Sequence, residues 1–127
     1  MRASTIHALA AAFFVVTAAT LTSASAADAM KGEKLFVDCA TCHTMERGVN
    51  GVGPSLFGVF GRKAGEVEDF RYSPGLKRSG IVWSAQTLDT YLADPQKAVP
   101  GNRMPYSGMP NAQDRADLIA YLQAKAK

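Results

Sequence analysis

The chain has 127 residues and a formal net charge of only +3, with 20% charged residues and no cluster of lysine or arginine. So weak a bias lacks the electrostatic footprint of a nucleic-acid-binding protein. Only two cysteines and two histidines are present, so any metal, thiol or redox chemistry rests on very few side chains.

The first segment has three parts. Arg2 is followed by a fourteen-residue apolar run at 8–21, and Ala24, Ser25 and Ala26 provide small residues at the spacing a signal peptidase reads. This predicts a secretory signal peptide over 1–26, cleaved after Ala26. The run is shorter than the ~20 residues that span a bilayer, so an uncleaved anchor is the alternative. Residues 27–127 then form one small domain of about 100 residues. Loss of Arg2 lowers the net charge from +3 to +2, and loss of His7 leaves His43 as the only histidine.

A short amphipathic helix is predicted over 28–40, with Leu35, Phe36 and Cys39 on one face. The glycine-rich stretch 44–65 predicts an extended loop. A loop of that length in so small a domain implies that it wraps something. A short helix is predicted within 73–79, with Pro74 at the first helical position. Another follows over 84–93, capped by Ser84, ended by Asp94-Pro95 and carrying Leu88, Tyr91 and Leu92 on its apolar face. Residues 97–110 read as irregular. Asn111 then caps a closing helix over 112–125 with a buried stripe of Leu118, Ile119 and Leu122. No alternating strand pattern is present. The predicted class is all-α: short helices and long loops, which need an apolar object to pack against.

Cys39, Cys42 and His43 form a Cys-x-x-Cys-His motif. A disulfide would close a very small loop and leave His43 without a role. A thiol exchanger would place the pair at a helix start beside strands, whereas here it ends a helix. A structural zinc site needs four ligands, and the second Cys/His pair is missing. Covalent haem attachment uses all three residues. Cysteines three apart on a helical turn share a face and can form thioethers with the two haem vinyl groups, while His43 becomes the proximal iron ligand. Without a second histidine, the other face is left to methionine, lysine or an open site. Met30 and Met45 are too close to the motif in sequence. Met104, after the Pro100-Gly101 turn signal, is the preferred ligand. Met109, next to Pro110 and a helix cap, reads as packing at a helix start.

The segments GEKLFVDCATCHTM, GVGPSLFGVFGRKAG, FRYSPGLKRSGIVW, YLADPQKAVPGNRM and DRADLIAYL follow in order. Together they resemble the class I cytochromes c, close to the mitochondrial carrier and its small bacterial periplasmic relatives. The resemblance covers nearly all of 27–127. It implies a cytochrome c fold of four to five short helices with long loops around one covalent haem c, joined through Cys39 and Cys42. It implies that Pro54 accepts the ring N–H of His43, that Arg62, Tyr72 and Trp83 hydrogen-bond the haem propionates, that Tyr91 lies near the methionine sulfur, and that Met104 is the sixth ligand. It also implies that Gly32, Phe36, Leu118 and Tyr121 sit where the terminal helices cross. Trp83 and Tyr91 serve equally as core aromatics. Leu76, Asp38, Gln96 and Asn111 depart from the family pattern. The last three thin the basic ring at the haem edge to residues such as Lys97 and Arg103.

The implied function is a soluble, monomeric, periplasmic one-electron carrier rather than an enzyme. Its implied partners are a donor such as a cytochrome bc complex or a dehydrogenase, and an acceptor such as a terminal oxidase or photosynthetic reaction centre, touched transiently at the membrane. A dedicated haem subunit of a dehydrogenase and a haem enzyme with an open sixth site are the alternatives.

Overall fold

The computed structural model describes residues 25–127; the signal peptide read over 1–26 lies outside the described residues except for its last two. Five helices follow one another: α1 (Ala29–Ala40), α2 (Pro74–Arg78), α3 (Ala85–Ala93), α4 (Pro95–Ala98) and α5 (Ala112–Lys125). Among the described residues, none is long and apolar enough to cross a membrane. The only sheet-like feature there is an isolated antiparallel bridge between Lys63 and Val82.

The helix starts follow local chemistry. Asp28 caps α1 by accepting from the Met30 and Lys31 N–H groups, Ser73 caps α2, and Ser84 and Thr87 form a reciprocal capping box at α3. Asn111 caps α5 by accepting from the Asp114 N–H. α4 is a correction to the sequence reading, in which 97–110 was irregular throughout. Asp94 ends α3 in an extended conformation and also accepts from the Lys97 N–H at 3.0 Å, with Pro95 at the first helical position. An Asp-Pro pair is thus both a stop and a start signal.

The terminal helices pack on each other. A Cβ on Gly32 would lie 2.6 Å from the Asp117 carbonyl carbon and 2.8 Å from Tyr121 Cβ, so only glycine permits this approach. The Phe36 and Tyr121 rings meet at 5.4 Å, and Leu118 and Leu122 bury against Phe36. Asp117, only 1% exposed, ties the crossing together. Its carboxylate accepts from the Asp28 N–H at 2.8 Å and the Gln113 amide at 2.9 Å, with Lys31 Nζ at 3.2 Å. These bonds, the Asp28 N–H above all, hold its pKa below the ordinary 3.8.

A depressed carboxylate stabilises the fold above its unfolded pKa, and that contribution is lost as pH falls through the folded value. The thermal midpoint of the wild type should therefore fall more steeply below about pH 4 than that of Asp117→Asn. The two should converge in strong acid. Parallel melting curves across that range would contradict the assignment.

The long segment between α1 and α2 is held by its own polar groups. Ser55 N–H donates to Asn50 Oδ1 at 2.9 Å, and Arg47 stacks over Phe57 at 4.4 Å. The far end pairs with the strand-like residues 81–83: Gly61 N–H donates to Trp83 O at 2.8 Å and Trp83 N–H to Arg62 O at 2.9 Å. Arg115 joins α5 to α3 through Asp89 at 2.7 Å and to the preceding loop through the Met109 and Pro110 carbonyls. A second apolar cluster, built from Val59, Trp83, Leu88, Tyr91, Val99 and Ile119, sits beneath these loops.

Candidate cofactor site

A cavity of about 410 Å³ opens among the helices and loops, within the ~300–1,000 Å³ typical of cofactor sites. Phe36, Leu118 and Leu122 contribute from the terminal helices, and Val59, Leu76, Trp83, Leu88 and Tyr91 from the middle of the chain. All nine site residues read from the sequence line it: Cys39, Cys42, His43, Pro54, Arg62, Tyr72, Trp83, Tyr91 and Met104.

The Cys-x-x-Cys-His motif closes α1. The Cys42 and His43 N–H groups both donate to the Cys39 carbonyl, at 3.0 and 2.9 Å, and this turn brings both thiols and the imidazole to the cavity wall. The cysteines are free and half-buried. Burial pushes the Cys39 thiol above its ordinary pKa, with the Asp38 charge adding to the effect. That is opposite to the environment of an exchanging thiol.

His43 Nδ1 lies 2.7 Å from the Pro54 carbonyl oxygen. A carbonyl can only accept, so Nδ1 carries the proton and the Nε2 lone pair is left for coordination. Burial lowers the imidazole pKa, opposed by the Pro54 bond and aided by Arg62, and the ring is neutral. A Cβ on Gly53 would come within 2.7 Å of Nδ1, so the ring rests against bare backbone there. Sequence reading missed Gly53 because its neighbour is ten residues away; its place immediately before Pro54 was the available signal.

Of the four methionines among the described residues, Met104 alone lines the cavity, where it packs against the cluster containing Trp83 and Tyr91. Met30 is 74% exposed, Met45 packs between the two clusters, and the Met109 N–H donates to Leu92 O at 2.8 Å while its side chain packs on the terminal helices. No lysine of the described residues is on the wall.

Arg62 is anchored by the Phe57 and Ser55 carbonyls at 2.8 and 3.0 Å. The Trp83 and Tyr91 rings meet edge to face at 5.1 Å, and burial pushes the Tyr91 phenol up to about 12, so it keeps its proton. Asn102 also lines the wall. Sequence reading passed over it; an asparagine after Pro-Gly that can bond its own backbone two residues on was the missed signal.

The donor set is two free thiols, one neutral imidazole and one thioether in a mostly apolar cavity. It fits a haem joined through Cys39 and Cys42. The comparisons agree. The Cytochrome c family model matches residues 29–125. The chain is 49% identical over 98 residues to cytochrome c2 of Rhodoblastus acidophilus, covering 76% of this chain and 92% of that one. It is 47% identical over 102 residues to cytochrome c of Gibberella zeae, covering 79% and 96%. Among solved structures, cytochrome cH from Methylobacterium extorquens matches with a TM-score of 0.73 at 46% identity, covering 77% of this chain and 99% of that one.

Proposed function

As the chain belongs to the cytochrome c family, an electron carrier with one haem c joined through Cys39 and Cys42, we propose that His43 and Met104 would hold the haem iron. We propose further that the mature carrier, 27–127, works in the periplasm. There it passes single electrons from a membrane donor, such as a cytochrome bc complex or a dehydrogenase, to an acceptor such as a terminal oxidase or reaction centre. The observation that carries the ligand assignment is that, among the described residues, Met104 is the one methionine on the cavity wall. When bound, the haem supplies a one-electron couple whose potential methionine/histidine ligation raises.

The chain's own residues have five tasks. Pro54 fixes the tautomer of His43, and Gly53 leaves the ring room to sit flat. Leu76, Leu88, Leu118 and Leu122 exclude water. Arg62, Tyr72 and Trp83 would offer donors to the propionates, and Tyr91, on the same cavity wall as Met104, keeps its phenol protonated. A haem iron held by both His43 and Met104 would have no position left for a substrate, as suits a carrier rather than an enzyme.

The rim carries exposed Asp38, Arg71 and Arg103 together with Val52, 72% exposed. Such mixed charge favours small, short-lived contacts over strong steering. Reduced holoprotein isolated from periplasmic extract should begin at Ala27 and be reoxidised by membranes of the producing organism. The rate should fall less than ~10-fold on raising salt, below the range that strong steering confers. Holoprotein that membranes neither reduce nor oxidise would contradict the proposal.

A further inference from the structure

We infer that Asn102 is a positioning residue for the Met104 thioether, an inference that rests on Met104 being an axial ligand. The side chain is only 7% exposed. Its Nδ2 donates to the Pro95 carbonyl at 2.7 Å and the Val99 carbonyl at 3.1 Å, while Oδ1 accepts from the Met104 N–H at 2.9 Å. Its main chain is tied as well: the N–H donates to Val99 O at 3.1 Å, and the carbonyl accepts from Gln96 Nε2 at 3.0 Å. Five bonds thus join one residue to the short helix before it and the strap after it.

Only an amide does this. Val99 presents an acceptor just past α4, where carbonyls lack helical partners, and the Pro95 carbonyl, which already accepts from the Val99 N–H at 3.0 Å, takes Asn102 as a second donor. Met104 presents a donor. Bridging them needs two donors at one tip and an acceptor beside them, the inventory of asparagine and glutamine alone. Aspartate has the acceptor without the donors, and leucine has the shape with neither.

The consequence for Met104 follows from its side chain, which has three rotatable bonds and no intrinsic preference for one geometry. Its sulfur is placed only if the backbone beneath it is fixed. Both Met104 backbone groups are fixed: the N–H by Asn102 and the carbonyl by the Tyr106 N–H at 2.8 Å. The strap is seated further by Gly75, where a Cβ would lie 2.8 Å from the Pro100 carbonyl oxygen. Gln96, at a position expected from the family to be basic, is thereby used inward, as the outer brace of Asn102.

The test is displacement of the thioether by added imidazole in ferric holoprotein, followed through the weak sulfur-to-iron charge-transfer band at the red end of the spectrum. Loss of the Asn102 clamp should raise the apparent imidazole affinity about tenfold in Asn102→Leu and about threefold in Gln96→Leu. Asp117→Asn, which weakens the distant crossing of the terminal helices, should lose thermal stability at neutral pH with wild-type imidazole affinity. An Asn102→Leu protein that loses stability as Asp117→Asn does, yet binds imidazole like the wild type, would overturn the inference. If Asn102→Leu yields no holoprotein, the exposed Gln96 decides: unchanged affinity in Gln96→Leu overturns it equally. A band that survives Met104→Ala would instead show that the ligand assignment is wrong, a separate failure from that of Asn102.

Discussion

Replacing both Cys39 and Cys42 with serine is expected to yield a chain without covalent haem and without a stable fold. Without the haem the apolar wall of the cavity, Phe36, Leu88, Leu118 and Leu122 among it, loses the partner it packs against and stands open to water. A domain is stable by only ~5–15 kcal/mol, so losing the packing of so much of its core is not offset elsewhere. The five helices cannot make up the loss, since α2 and α4 are only five and four residues long. Haem staining after denaturing electrophoresis and the far-ultraviolet circular dichroism of the same sample check both halves. A double variant that keeps native helix content without haem would show that the loops pack on themselves.

The second large effect concerns Met104→Ala. Truncation removes the thioether on the cavity wall, where no other methionine, lysine or histidine of the described residues except His43 stands to replace it. The reduction potential should drop by a sizeable part of the ~0.8 V that axial ligands span, because a soft thioether favours the reduced ion. The vacated position should also take up cyanide or imidazole without first displacing a ligand. Met109→Ala should leave the potential close to wild type, since that side chain packs on the terminal helices. Redox titration of the two holoproteins separates these outcomes, and equal potentials would contradict the assignment.

Much of the fold was legible because its signals are local. The caps Asp28, Ser73, Ser84 and Asn111 each sit within three residues of the groups they satisfy, and the helix starts follow them. α4 was missed because Asp94-Pro95 was read only as an end, although the same aspartate caps the next turn. The Cys-x-x-Cys-His turn was legible for the same reason: its geometry lies within one helical turn. Met104 was reached by eliminating histidine and the nearer methionines and by the Pro100-Gly101 turn signal, which favoured it over Met109; among the described residues it is the methionine that lines the cavity.

Pro54, Arg62, Tyr72, Trp83 and Tyr91 came only from family resemblance. Nothing in their spacing places them around one cavity, because the loops between them have no period. Gly53 and Asn102 were missed, because the local signals they carry do not say what they touch. The first is defined by the space beside the His43 ring, and the second by where the end of α4 and the Met104 N–H meet. Both depend on the finished fold.

The ferric optical spectrum of three holoproteins tests the central claim, that one haem is closed by His43 and Met104, most directly. The sulfur-to-iron charge-transfer band should be present in the wild type, persist in Met109→Ala and vanish in Met104→Ala. A band lost in Met109→Ala and retained in Met104→Ala would contradict the account.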